Sequence, residues 1–250
     1  SIGSYSWDTS ESSVNNGRGV NEWSGADLMK LLNPGYESET VGGSLYWNSS
    51  SGVCYNSEND GTKACDFTST GIKDKLKTLI SDAIWNTGAN DGKTYTYNNI
   101  ITSKFYELEK SSNNGKICSS GNDCNDTVER TTTWTGKVGL MYPSDYGYAT
   151  SGGDTTDRAT CLNKELYNWD SSSVSDCKNN DWLYNGSSSP WTISPIADSS
   201  RANGAFYVDW SVYGADASSS IGARPVVYLT SNVKISGGEG TSESPFSLEL

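Results

Sequence analysis

Apolar residues recur at helical spacing in the first third of the chain and at strand spacing over most of the other two thirds. Ser24 is a good N-cap, and Leu28, Met29, Leu31 and Leu32 make an apolar stripe that Asn33-Pro34-Gly35 stops, which predicts a first helix. A second is predicted from just after Ser69-Thr70 to about Trp85. There Ile72, Leu76, Leu79, Ile80, Ala83 and Ile84 keep a helical period, with Lys and Asp on the other face. A weaker helical pattern covers Ser103–Lys110.

Strand patterns dominate beyond these helices. Thr94–Tyr97 alternates, Lys137–Tyr142 is a short apolar run, and Trp182–Tyr184 and Trp191–Ser194 are brief. Gly204–Tyr213 alternates throughout, predicting one strand with Phe206, Val208, Trp210 and Val212 on the buried face. Ala205, Tyr207, Asp209, Ser211 and Tyr213 fall on the other, wet face. Arg224–Leu229 reads as a buried central strand, with Pro225 at its first position, where it is tolerated. Between Lys234 and Leu248, the turn signals Gly237-Gly238 and Gly240 predict a closing hairpin. No internal repeat of fixed period is present. Helices early, then strands with long polar loops, predict a single α+β domain over residues 1–250. Its expected parts are a lead-in strand over 1–18 and a closing strand or hairpin over 230–250.

Composition sharpens this picture. Only 34% of the residues are apolar, but nine Trp and fifteen Tyr compensate, since each aromatic buries roughly 150–250 Å². The net charge of −12 argues against nucleic acid and anionic membrane as partners, because phosphate binding rests on clustered Lys and Arg. The run Lys73, Lys75, Lys77 reads as a solvated helix face. There is no histidine, which excludes the Ser-His-Asp triad, the Cys-His dyad and His-ligated zinc.

The six cysteines fall as three close pairs that bracket polar loops: Cys54 and Cys65, Cys118 and Cys124, Cys161 and Cys177. None has metal or redox spacing, so local disulfides in an oxidising, extracytoplasmic setting are expected. No run approaches the ~20 apolar residues of a membrane helix. Ser1 opens in a polar stretch without a signal-peptide pattern, so a membrane anchor is expected to lie upstream. The closing Leu248-Glu249 reads as a cloning scar.

Candidate chemistry is sparse. Asp145, among the aromatics of Pro143-Ser144-Asp145-Tyr146-Gly147-Tyr148, has the neighbours of a glycosidase acid but reads more simply as a turn residue. Asp154 and Asp157 sit in a Gly/Thr loop without the regular spacing of a calcium site. Asn179-Asn180-Asp181-Trp182 has the wrong order for the calcium signature of sugar-binding lectins. Asn48, Asn125 and Asn185 begin glycosylation sequons, which arise by chance in so Asn- and Ser-rich a chain. No catalytic residue, metal or cofactor is therefore assigned, and the chain is expected not to be an enzyme.

The richest segment is 196–219, between Trp191-Thr-Ile-Ser-Pro195 and Gly222-Ala-Arg-Pro-Val-Val-Tyr-Leu229. It carries Asp198, Arg201, Asn203, Gly204, Tyr207, Asp209, Trp210, Ser211, Tyr213 and Asp216. Tyr, Trp, Arg, Asp, Ser and Gly together are the composition of a paratope, aromatics giving rigid contact area and small residues giving room. These framing blocks, with Trp134–Pro143, Asn180-Asp-Trp-Leu183 and Val233–Thr241, resemble the C-type-lectin-fold variable proteins of diversity-generating retroelements. Those are pilin-like surface proteins of gut Firmicutes and their relatives. The resemblance covers most of the chain, from about Gly19 on.

The resemblance implies a C-type-lectin-like α+β fold, two core helices packed on a twisted antiparallel sheet with long disulfide-stapled loops. It also implies a hypervariable ligand-binding face within 196–219, displayed on a cell surface, anchored and pilus-associated. The expected partner is a protein or glycan on another cell or surface. The alternatives are a structural minor-pilin or stalk subunit and, last, a glycan or peptidoglycan hydrolase. The cysteines are expected to pair as 54–65, 118–124 and 161–177, because short polar loops close at little entropic cost. Non-reducing peptide mapping checks this, and a bridge crossing between the groups contradicts it.

Overall fold

Tryptophans fasten the start of the chain to its C-terminal third. The Trp7 indole N–H donates to the Thr192 carbonyl at 3.0 Å, and the Trp191 indole N–H donates back to the Tyr5 carbonyl at 2.8 Å. Both rings are fully buried, so each bond satisfies a polar group that burial would otherwise leave costly. The computed structural model describes residues 1–8, 17–34, 72–90, 95–114, 129–184, 186–197, 203–241 and 243–250. Cys54, Cys65, Cys118 and Cys124 lie outside these, as do Asp198 and Arg201 and the sequons at Asn48, Asn125 and Asn185.

The architecture is mixed α+β with antiparallel pairing, assembled from short pieces. Strand β1 (Ser4–Tyr5) pairs with β8 (Ile221–Gly222), within the expected lead-in segment. Helix α1 (Asp27–Leu32) follows a 3-10 turn at Trp23–Gly25. Ser24 therefore does not cap α1; it donates to Glu22, whose carboxylate also accepts from the Gly25 N–H and caps the 3-10 turn. Leu28, Met29, Leu31 and Leu32 are buried as their spacing predicts. Asn33 then plugs the end of α1 into β4 (Val138–Leu140). Its amide donates to the Met29 and Val138 carbonyls, and its oxygen accepts from the Val138 N–H.

The predicted second helix is the main departure. Only α2 (Asp74–Lys77) is helical, and β2 (Ala83–Asn86) occupies the end of the span. Strand β2 pairs with β3 (Thr133–Gly136), setting Trp85 opposite Trp134, and Leu79 and Ile80 are buried just before it. Trp85 lies on β4, where a Cβ on Gly139 would come within 2.7 Å of its ring. Cross-strand pairing and this aromatic contact outweigh a helical period that is only a weak local preference. Helix α3 (Thr102–Glu109) follows the weaker pattern seen there in the sequence, and it packs beside α4 (Pro143–Ala149). Residues 95–97 and 182–184 are not strands.

Gly204–Tyr213 is not one strand but the larger part of a hairpin. Strands β6 (Gly204–Val208) and β7 (Val212–Asp216) pair in register around a tip at 209–211, and β5 (Trp191–Pro195) adds on the other side of β6. The Arg224–Leu229 strand is shorter and less central than expected. Only Pro225–Val227 (β9) is strand; it pairs with β4 and is half-buried, while Tyr228 and Leu229 are exposed. The closing hairpin is present as β10 (Lys234–Gly237) and β11 (Ser247–Glu249), largely exposed.

Two aromatic-rich cores result. One gathers Trp7, Trp23, Trp85, Trp191 and α1; the other gathers Phe105, Tyr146, Trp169, Phe206, Val208 and Val212. The second also contains the disulfide Cys161–Cys177, which ties α5 (Arg158–Leu162) to α6 (Ser175–Asn179) across 16 residues. A bridge closing a loop of this length contributes about 3 kcal/mol. Among the described residues no helix is long and apolar enough to cross a membrane.

One buried acid links α3 to α4. Glu109 is nearly enclosed and accepts from the Ser144 N–H at 3.0 Å and the Ser144 hydroxyl at 2.6 Å. Desolvation pushes its pKa from 4.5 up to about 7 despite those bonds. A raised pKa means the fold prefers the protonated form. Stability from this group is full below pH 4.5 and is lost as pH rises through about 7. The loss is on the order of 3 kcal/mol at about 1.36 kcal/mol per unit. Glu109→Gln is expected to raise the urea midpoint at about pH 8 and to lose that advantage toward about pH 4.5. An advantage independent of pH contradicts this account.

Candidate ligand-binding face

The β6–β7 hairpin has alternating side chains, and both of its faces meet protein. Phe206, Val208 and Val212 enter the second core, where Phe206 meets Phe105 edge-on at 5.1 Å. The opposite face turns Ala205, Tyr207 and Ala215 toward the first core. The expected alternation holds within β6 and β7 but breaks at the tip, and of its wet face Ala205 and Ser211 are buried and Tyr207 and Tyr213 half-buried. The two tyrosines stand directly across from each other in the ladder, with ring centroids 5.9 Å apart.

From this pair a row of aromatics runs outward and inward. Tyr213 meets Tyr167 edge-on at 5.2 Å, and Tyr167 meets Tyr97 at 5.5 Å. On the inner side Tyr207 rests on buried Trp191 at 6.1 Å. The Tyr213 hydroxyl donates to Asp170 at 2.6 Å, and the Asp170 N–H donates to the Ser211 hydroxyl oxygen at 2.8 Å. Desolvation first, and then the Asp170 carboxylate, push the Tyr213 pKa upward, so this phenol stays a donor.

At the hairpin tip Trp210 adopts a left-handed backbone with φ 59°, rare for a bulky residue and costing about 1 kcal/mol or more. Two contacts hold it there. Its ring meets Tyr184 edge-on at 5.2 Å, and it covers Gly186, where a Cβ would come within 2.5 Å of the indole. Gly186 itself has φ +76°, so glycine is required there on both grounds. Trp210 packs against the second core, the side its strand parity predicts, but is only half-buried, with the Lys178 ammonium 5.6 Å from its ring. Asp209 accepts from the Tyr184 hydroxyl at 3.0 Å.

The expected site residues therefore divide. Tyr207, Asp209, Trp210, Tyr213 and Asp216 are partly accessible and lie together on the hairpin. Asn203, Gly204 and Ser211 are buried, and they are corrected here to scaffold. Asn203 donates to Asp216 at 2.7 Å, the Gly204 carbonyl accepts from the Asn21 amide at 2.7 Å, and Ser211 anchors Asp170. Tyr97, Tyr167, Asp170, Lys178 and Tyr184 join the face without having been anticipated. Tyr167 sits in a 3-10 turn, Lys178 on α6 and the others in loops, and segments this short carry no periodicity that could have marked them.

The other acids have local work. Asp145 accepts from the Tyr142 N–H at 2.9 Å in the first turn of α4, and its pKa is raised by desolvation. Asp157 caps α5 through the Thr160 N–H at 2.7 Å, while Asp154 is exposed. Asp176 collects the Thr155 and Thr156 N–H groups of that same loop. Asp181 accepts from the Leu183 and Tyr184 N–H groups, and burial raises its pKa to about 6. Among the described residues no three Cys, Asp or Glu side chains gather to hold a metal. Compared with protein-family models, with curated proteins and with solved structures, the chain matches none.

Because Tyr207 and Tyr213 are half-buried, removing either ring affects folding. Tyr207→Ala and Tyr213→Ala are each expected to lower stability by about 1–2 kcal/mol, against about 3–5 kcal/mol for Phe206→Ala. Denaturant unfolding checks the order. A Tyr207→Ala loss equal to that of Phe206→Ala contradicts the partial burial.

Proposed function

We propose that this chain is an extracellular recognition domain of the C-type-lectin-like kind, built like the variable proteins of diversity-generating retroelements. Its ligand lies on the β6–β7 hairpin and the tyrosines beside it, and the domain binds without catalysing a reaction. The observation that carries the reading is the division of labour within the hairpin. Buried Phe206, Val208 and Val212 and the plugged backbone at Asn203 and Gly204 hold the frame. Tyr207, Asp209, Trp210, Tyr213 and Asp216 stay partly accessible, where a change of identity costs the fold less than a change at Phe206. The strained backbone at Trp210 fits a binding tip, since such strain gathers at functional sites. The buried Cys161–Cys177 disulfide supports an oxidising, extracytoplasmic location.

Sequencing this gene across related isolates tests the proposal. Variation is expected to concentrate at the codons for 198, 201, 207, 209, 210, 213 and 216, with Phe206, Val208 and Val212 constant. A reverse transcriptase beside a near-repeat of the 196–219 coding segment is expected in the same locus. Substitutions spread evenly along the gene contradict the reading.

A further inference from the structure

The aromatic face of the hairpin has an unbalanced charge. Asp170 and Asp209 accept from phenol hydroxyls, those of Tyr213 and Tyr184, and among the described residues neither takes part in an ion pair. Arg18, Lys164 and Lys178, among the described residues, are already engaged. Arg18 is 3.9 Å from Asp216, and Lys164, close to Tyr167 in sequence, is 3.3 Å from Glu165. Lys178 donates to the Asp170 main-chain carbonyl at 3.1 Å while resting near the Trp210 ring. Asp170 is exposed, and Asp209 is half-exposed.

Beside Asp170 stand the half-buried rings of Tyr213, Tyr167 and Tyr207, each next to another of the three. Aromatic faces attract cations through the ring quadrupole, and guanidinium groups in particular stack on them while forking to a carboxylate. A phenol that donates to a carboxylate is polarised by it, which strengthens the pull of its ring. The chain as a whole carries −12, so the long-range field favours a positive partner as well.

We propose that the occupant of this face is a basic protein segment, with Arg or Lys side chains lying on Tyr207, Tyr213 and Tyr167 beside Asp170 and Asp209. The proposal rests on the recognition reading and names the ligand chemistry of that same site. The two carboxylates, which form no ion pair among the described residues, favour a cationic ligand and repel an acidic one.

The test uses the whole chain and two acetylated, amidated peptides, one alternating Arg with Gly and the other Glu with Gly, titrated by calorimetry. The Arg peptide is expected to bind saturably and to weaken as salt rises from about 0.02 M to about 0.3 M. Asp170→Asn keeps an acceptor for the Tyr213 hydroxyl and so keeps the fold; it is expected to weaken binding about tenfold, as is Tyr213→Ala. Asp74→Asn removes the same charge from an exposed carboxylate on α2 and is expected to change nothing. Absence of saturable binding overturns the proposal. Equal losses for Asp74→Asn and Asp170→Asn, or equal binding of the Glu peptide, overturn it too. If codon variation is concentrated on the hairpin while the Arg peptide fails, recognition stands and the basic ligand falls.

Discussion

The β5–β6–β7 sheet is the partition on which the rest of the molecule depends. Strand β6 sends Phe206 and Val208 into one core and turns Ala205 and Tyr207 toward the other. A strand buried on both sides cannot slip by one residue without exchanging every contact it makes. That fixes the register, which sets Tyr207 across from Tyr213 and begins the aromatic row. The face is thus a by-product of the packing that holds the fold together.

A sheet this short leaves much of the interior to loops, and loops bring unpaired backbone inside. Buried asparagines answer this need. The Asn21 amide bonds the carbonyls of Ile196 and Gly204, and Asn90 bonds both the carbonyl and the N–H of Ala197. Asn33 does the same between α1 and β4. Each residue offers two donors and an acceptor on a short stem, which suits a loop that meets a strand end. Together Asn21 and Asn90 fix the backbone at 196–197 and at 204, where the chain enters the hairpin that carries the aromatic face.

The hairpin tip shows where local preference gave way. Residue 210 takes a backbone conformation that glycine would adopt freely, yet a tryptophan occupies it. Tyr184 and Gly186 compensate, one by giving the ring an edge to rest on and the other by leaving space beneath it. Such a conflict persists only where the surroundings over-determine it, and here it presents a large aromatic at the rim of a surface.

Much of this was legible in the amino-acid pattern. The α1 stripe, the local pairing of Cys161 with Cys177, the closing hairpin and the inward set Phe206, Val208 and Val212 all follow from spacing. Such features arise from residues near one another in sequence, where periodicity and loop entropy act directly. What the pattern could not supply was long-range. Residues 83–86 became a strand because Trp134 and Gly139 were waiting for Trp85, and β6–β7 became a hairpin because its tip closes on Tyr184 and Asp170. The half-burial of Tyr207 and the recruitment of Tyr167 into the face were likewise decided only when separate loops packed together. A single sequence shows which residues want to be buried; only the tertiary structure shows against what.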